Sequence, residues 1–257
     1  MYGTYDLSQF HLAALIAAGI ASGFINTVAG GGSLLTLPAL MLIGLPADLA
    51  NGTNRLSVLA QSASTVHGFH SAGKFDTKAA VAILGPAVAG SLAGSVAAAW
   101  LPPGILKPAL LVSMVAITVL VVARPDWMTP PEDQRPYTVA ERPSAVFWLF
   151  GVGVYGGFVQ GGVGFLSLML LCGLLRYDLV RAHALKIAIS GVFGVVPLAV
   201  FLFAGQVLWI PGLILAAATV VGSRLGVRFA IGASQQALRW FLLVAVVVAT
   251  AAAFIKG

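Results

Sequence analysis

Residues 23–45 read GFINTVAGGGSLLTLPALMLIGL, a stretch apolar at both ends with three consecutive glycines, Gly30 to Gly32, at its centre. The part that follows the glycines, 33–45, is too short to cross a bilayer as a helix, because about 30 Å of hydrocarbon needs about 20 apolar residues. Glycine lets a backbone turn without a side-chain penalty, so the interruption reads as a turn inside an apolar run. A turn exposes amides, and at membrane depth these are tolerated only where protein or a watery cavity satisfies them. The fold therefore depends on whether the rest of the chain is membranous and whether the interruption recurs.

Both conditions hold. Of 257 residues, 59% are hydrophobic and 9% charged, with a mean hydropathy of +0.98. That is more apolar surface than one water-soluble core of this size can hide. Ten apolar segments form two groups of five: 10–29, 33–45, 49–72, 77–100 and 105–123, then 145–160, 164–175, 179–204, 207–227 and 236–255. Between them lies RPDWMTPPEDQRPYTVAERP, residues 124–143, a linker rich in proline and charge. The chain thus divides into a first transmembrane repeat (1–123), a linker, and a second repeat (144–257). Residues 1–9 lack the basic start of a signal peptide, so the first apolar run is expected to stay in the mature protein. Cys172 is the single cysteine, which excludes an intrachain disulfide. The net charge of +6 is scattered between apolar runs without interleaved aromatics, a pattern of membrane orientation and not of nucleic-acid binding.

The two groups resemble each other. GFIN at 23–26 matches GFVQ at 157–160, and each precedes a glycine cluster, Gly30 to Gly32 in one and Gly161, Gly162 and Gly164 in the other. LPADLANGTNR at 45–55 parallels LRYDLVRAHALK at 175–186, which sets Arg55 against Lys186. Gly90 and Gly94 match Gly222 and Gly226 at the same spacing.

Loop charge then sets orientation. With each segment counted as one traverse, one side collects Lys74, Lys78, Arg124, Arg135, Arg142, Arg176, Arg181, Arg228 and Arg239, and the other chiefly Lys107 and Lys256. The richer side is expected to be cytoplasmic, with both termini outside. Because each group has an odd number of segments, the second enters from the opposite face. The expected architecture is an all-α polytopic membrane protein of two inverted-topology repeats of five hydrophobic segments, each with a short re-entrant or broken helix, as in many secondary transporters. The tips of the two short segments would meet, directing helix N-termini and their positive dipole ends at a cavity suited to an anion. Asn26, Thr27, Ser33 and Gln160 cluster with the glycines there.

GFINTVAGGGSLLTLPAL followed by GLPADLANGTNRLS, with GGFVQGGVGF and YDLVRAHALK in the second half, resembles the TauE/SafE sulfite exporter family of bacterial and archaeal membrane proteins. The resemblance covers nearly the whole chain. It implies a carrier in the cell inner membrane for small anions such as sulfite, sulfoacetate and related organosulfur oxyanions, working without a cofactor, and it is compatible with a homodimer.

Read residue by residue, Asp48 and Asp178 precede long apolar segments and are expected to cap helix N-termini. Arg55 and Lys186 lie seven and eight residues further on, beyond ion-pair reach of those carboxylates. Each either binds the anion or snorkels to the nearer membrane face. Asn51, Thr53 and Asn54 share the helix turns before Arg55 and could hydrogen-bond a substrate oxygen. His183, between Arg181 and Lys186, is a candidate for contact with substrate or a proton. His67 and His70 have no acidic or cysteine ligand beside them, so no metal site is expected. The candidate substrate-binding set is therefore Asn26, Thr27, Gly30, Gly31, Gly32, Ser33, Asn51, Thr53, Asn54, Arg55, Gln160, Gly161, Gly162, Gly164, His183 and Lys186. No nucleophile elbow, Walker loop or HExxH motif is present, and the apolar segments contain no Glu. A membrane enzyme or an ATP-driven pump has no motif to rest on; an anion channel or an uptake carrier is the alternative to an exporter.

Overall fold

The computed structural model describes residues 8–28, 30–71, 77–124, 127 and 135–233. No strand occurs among them. The helices are α1 (Gln9–Val28), α2 (Ser33–Leu42), α3 (Ala47–Ser71), α4 (Thr77–Trp100), α5 (Pro103–Ala123), α6 (Ser144–Phe158), α7 (Val163–Met169) running on into a π-helical turn (Leu170–Leu174), α8 (Leu179–Phe203) and α9 (Trp209–Gly232). These match the first nine apolar segments within a few residues at each end; the tenth, 236–255, lies outside the described residues. By length and composition α1, α4, α8 and α9 can each cross a membrane, and α2, α6 and α7 with its π-turn are shorter apolar helices.

Glycines and serines let helix backbones meet. On α1, Gly19 faces Ala218 and Leu215 of α9 and Gly23 faces Thr219 and Ser223, while Gly222 and Gly226 of α9 return the contact to Ile20 and Thr27. Residue numbers rise together, so α1 and α9 are parallel. The same relation joins α4 to α6: Gly90 faces Phe150 and Gly153, and Gly94 faces Val154 and Phe158. Small residues at such crossings are how membrane helices gain close van der Waals packing where lipid supplies no hydrophobic drive. In contrast α3 and α8 run in opposite directions, with Gly194 against Leu59 and Gly52 against Phe201. The α3 helix is parallel to α9, from Thr53 beside Leu208 to Gly68 beside Val227.

The α3 helix is the most polar of the long helices, yet Asn51, Thr53, Asn54, Arg55, Ser57, Gln61, Ser62 and Thr65 on it are all buried. It is shielded from lipid by its neighbours, which is why so polar a helix is tolerated. The largest apolar cluster joins α4, α6, α7 and α8 around Leu149, Phe165, Leu168, Leu171, Leu185 and Phe193.

Two expectations need correction. Asp178 caps α8, accepting from the Arg181 amide at 3.0 Å, but α3 starts at Ala47, one residue before Asp48. Asp48 thus sits in the first turn, where its charge faces the positive end of the helix, and its Oδ1 is buried without a hydrogen-bond partner. The repeat register also shifts. Since α3 and α8 are both 25 residues long, with nearly the same burial pattern, Lys186 falls opposite Asn54, and Arg55 opposite Ile187.

The described end of the linker is anchored on the second half. The Tyr137 amide donates to Leu175 O at 2.8 Å, and its ring carries the guanidinium groups of Arg142 and Arg176 at 4.6 and 4.9 Å. Just before α6, Glu141 accepts from the Thr138 amide at 2.8 Å and pairs with Arg135. The amide first, then Arg135, holds its carboxyl below the usual range.

Candidate functional site

A helix leaves its last four carbonyls without intrahelical partners. Where α6 ends at Phe158, Val159 and Gln160 both donate to Tyr155 O, which leaves the carbonyls of Gly156, Gly157 and Phe158. All three are taken by side chains of α3. Arg55 Nη1 donates to Gly156 O at 2.7 Å, to Gln160 Oε1, and to Phe193 O of α8 at 3.3 Å. Its Nη2 donates to Gly157 O at 2.8 Å and to Asn51 Oδ1 at 3.0 Å, and Asn51 Nδ2 donates to Phe158 O at 2.9 Å. The guanidinium lies 5.4 Å from the centre of the Phe201 ring. Arg55 is 0% exposed, and its Nε has no partner among the described residues.

The end of α1 is held in the same manner from the other half. Gly30 donates to Ile25 O, and Lys186 Nζ of α8 donates to Asn26 O at 2.6 Å and Thr27 O at 3.2 Å. Lys186 is also 0% exposed. His183, one turn earlier, places Nδ1 3.4 Å from Lys186 Nζ, and its own Nε2 is buried without a partner. Neither cation snorkels. Each meets the negative dipole end of an interrupted helix from the opposite half of the chain, where a positive charge is favourable. No residue is common to the two sets of partners, so the cations occupy two places and not one shared pocket.

The glycine turns are in contact. Gly30 (φ +104°) lies against Gly164, such that a Cβ on Gly30 would come 2.7 Å from the Gly164 carbonyl carbon. Gly162 (φ +79°) is the N-cap of α7, in a left-handed conformation that residues with a Cβ rarely adopt. Gln160 shares that region at φ +64°, held there by Arg55 on its side chain. Gly31 faces the Phe165 ring, Gly32 faces Ser22 and Asn26, and Gly161 faces Met114 of α5. Tyr155 Oη donates to Gly161 O at 2.6 Å, bracing this turn.

All the polar candidates are buried, and several of them are engaged with helix backbone. Thr53 Oγ1 accepts from the Leu208 amide at 3.0 Å, satisfying the start of α9. Thr27 Oγ1 donates back to Gly23 O at 2.9 Å. Asn54 Oδ1 accepts from Ser57 while its Nδ2 is unpartnered, and Ser33 is buried at the start of α2. The sequence reading missed Phe193, Phe201 and Tyr155, and the backbone carbonyls of Gly156 and Gly157. A carbonyl carries no residue-type signal, and the aromatics lie far from Arg55 in sequence. It also passed over Arg224, a cation inside its own ninth apolar segment. Among the described residues no cluster of His, Cys, Asp and Glu could hold a metal ion.

An all-helical set of described residues with several helices long and apolar enough to cross a membrane is that of a multi-pass membrane protein. Residues 15–253 match the profile of the sulfite exporter TauE/SafE family, and the chain belongs to it. Its relatives include the probable membrane transporter protein ORF9 of a Sinorhizobium species, 28% identical over 93% of this chain and 90% of that protein. A probable membrane transporter protein of Haemophilus influenzae is 27% identical over 91% of each chain. The probable membrane transporter protein YfcA of Escherichia coli K12 is 26% identical over 93% of this chain and 88% of that one. No solved structure matches the chain.

Proposed function

We propose that the protein is a secondary transporter that exports a small oxyanion, sulfite or an organosulfur anion such as sulfoacetate, across the bacterial inner membrane by alternating access. One observation carries the anion: Arg55 and Lys186 are fully buried, and neither touches a carboxylate among the described residues. A cation within a membrane helix costs at least about 2.5–3.5 kcal/mol. Carbonyl dipoles offset part of this, and a bound anion adjoining either cation supplies the remainder. In this closed arrangement the guanidinium and ammonium hold the ends of α6 and α1, so loading an anion is coupled to loosening an interrupted helix.

The helix directions support an inverted repeat. Parallel pairing of α1 with α9 and of α4 with α6, with α3 opposed to α8, gives contacts that exchange between the two halves. Two near-equivalent halves can exchange conformations, which is the basis of alternating access in carriers of this construction. A cell-negative potential favours outward movement of an anion by about 2.3 kcal/mol per charge per 100 mV, so export needs no coupled ion. Reconstituted liposomes loaded with sulfite, sulfoacetate, thiosulfate, sulfate or a short carboxylate should show saturable counterflow of a labelled sulfur oxyanion. Flux that rises linearly with concentration would mark a channel, and no flux with any of these anions would reject the reading.

A further inference from the structure

A groove of about 560 Å³ lies between the C-terminal ends of α3 and α9, with neither Arg55 nor Lys186 in its lining. Its lining includes Ser64, His67 and Ser71 from α3 and Arg224 and Arg228 from α9, and its floor is Val227 packed on Gly68. Arg224 and Arg228 are four residues apart and so share one face of the helix. Arg224 precedes the last residue of α9 by eight, about 12 Å into a mainly apolar helix, and its side chain leans further inward toward the N-terminus. The ion pairs Arg135–Glu141 and Arg181–Asp178 involve neither arginine, and among the described residues no carboxylate lines the groove.

The other half of the chain carries an internal control. Ala47 aligns with Leu179 and Thr77 with Trp209, the same shift for both helix pairs. Under it Arg224 and Arg228 correspond to Leu92 and Val96, and Ser64, His67 and Ser71 to Val196, Ala199 and Phe203. Leu92 is 49%, Val96 43% and Phe203 93% exposed, an apolar surface fit for lipid tails. The same architectural position is therefore greasy in one half and cationic and hydroxylated in the other, although a charge in that setting is costly.

We infer that this groove binds the phosphate headgroup of an anionic phospholipid from the leaflet at which α3 and α9 end. Two arginines on one face match phosphate oxygens with forked donors, Ser64 and Ser71 add hydroxyl donors, and His67 stands exposed at the rim. The volume suits a headgroup. The charge bias makes this face cytoplasmic, where basic pockets between membrane helices meet anionic lipid. Because Val227 seals onto Gly68 beneath it, an occupant would tie α3 to α9.

The test is to purify the protein into nanodiscs of mixed phosphatidylcholine and phosphatidylglycerol and quantify retained lipid by mass spectrometry. Wild type should enrich phosphatidylglycerol, and the double variant Arg224→Gln, Arg228→Gln should lose about tenfold to thirtyfold of that preference. The double variant Arg224→Lys, Arg228→Lys keeps the charge and should retain most of it, which guards against a mere folding defect. Added phosphatidylglycerol should raise the melting temperature of wild type in detergent and not that of the glutamine variant. Equal enrichment in wild type and the glutamine variant overturns the proposal. So does equal stabilisation by inorganic phosphate alone, which would make the groove a site for a free oxyanion.

Discussion

At the scale of single residues, the buried polar groups of α3 divide into those that hold helices and those with donors to spare. Thr53 only satisfies the Leu208 amide, so Thr53→Val should cost about 1 kcal/mol of stability and leave anion affinity unchanged. Arg55 holds three carbonyls and two side-chain oxygens and still has Nε unused. Arg55→Gln should lower both the melting temperature and anion affinity, the latter by about tenfold to a hundredfold for a lost charge-assisted bond. Arg55→Lys should rescue little, because one ammonium cannot reproduce a planar fork that reaches Gly156 and Asn51 at once. Thermal melts and counterflow KM for the three variants decide this: a KM shift in Thr53→Val, or none in Arg55→Gln, would reverse the assignments. Arg55 and Lys186 were legible in the sequence as isolated charges in apolar runs. Their partners were not, since a carbonyl about 100 residues away leaves no trace in residue type, and the repeat register was misread by one because the matching Asp and cation were aligned instead of the helix ends.

Among the elements, the interrupted pairs α1–α2 and α6–α7 were legible from glycines and segment length, because a glycine cluster inside an apolar run has few uses. The contact between the two turns now separates two kinds of glycine. A methyl group on Gly164 would collide with the backbone of Gly30, so Gly164→Ala should abolish counterflow even at saturating substrate while the protein still inserts. A methyl group on Gly151 in α6 or Gly85 in α4 would meet nothing within 4 Å, and alanine there should leave transport intact and add about 0.5–1 kcal/mol of stability. Full activity in Gly164→Ala would show that the two turns need not touch for transport. The π-helical turn after α7 was not foreseen. Its sequence, LLCGL, carries the apolar pattern of any buried helix, and no residue type in it signals a widened turn.

For the whole molecule, orientation follows from charge and helix direction together. The parallel helices α3 and α9 end on one face; Lys74 follows α3 in the sequence, and α9 carries Arg228 in its last turns. The described end of the linker belongs to that face as well, since Tyr137 is bound to the Leu175 carbonyl beside Arg176. Every one of these segments is rich in Lys or Arg, the composition that cytoplasmic loops carry. A reporter active only in the cytoplasm and inserted near Pro131 should therefore be active, whereas the same reporter fused after Lys256 should be silent and an exported-side reporter there active. The opposite pair of results would turn the molecule over and set the groove of Arg224 and Arg228 against the outer leaflet. Activity of both cytoplasmic fusions would give the second group of segments an even number of crossings. The proposed inversion of the two halves would then fail, and an exchange of conformations between them could not open the path alternately to each side.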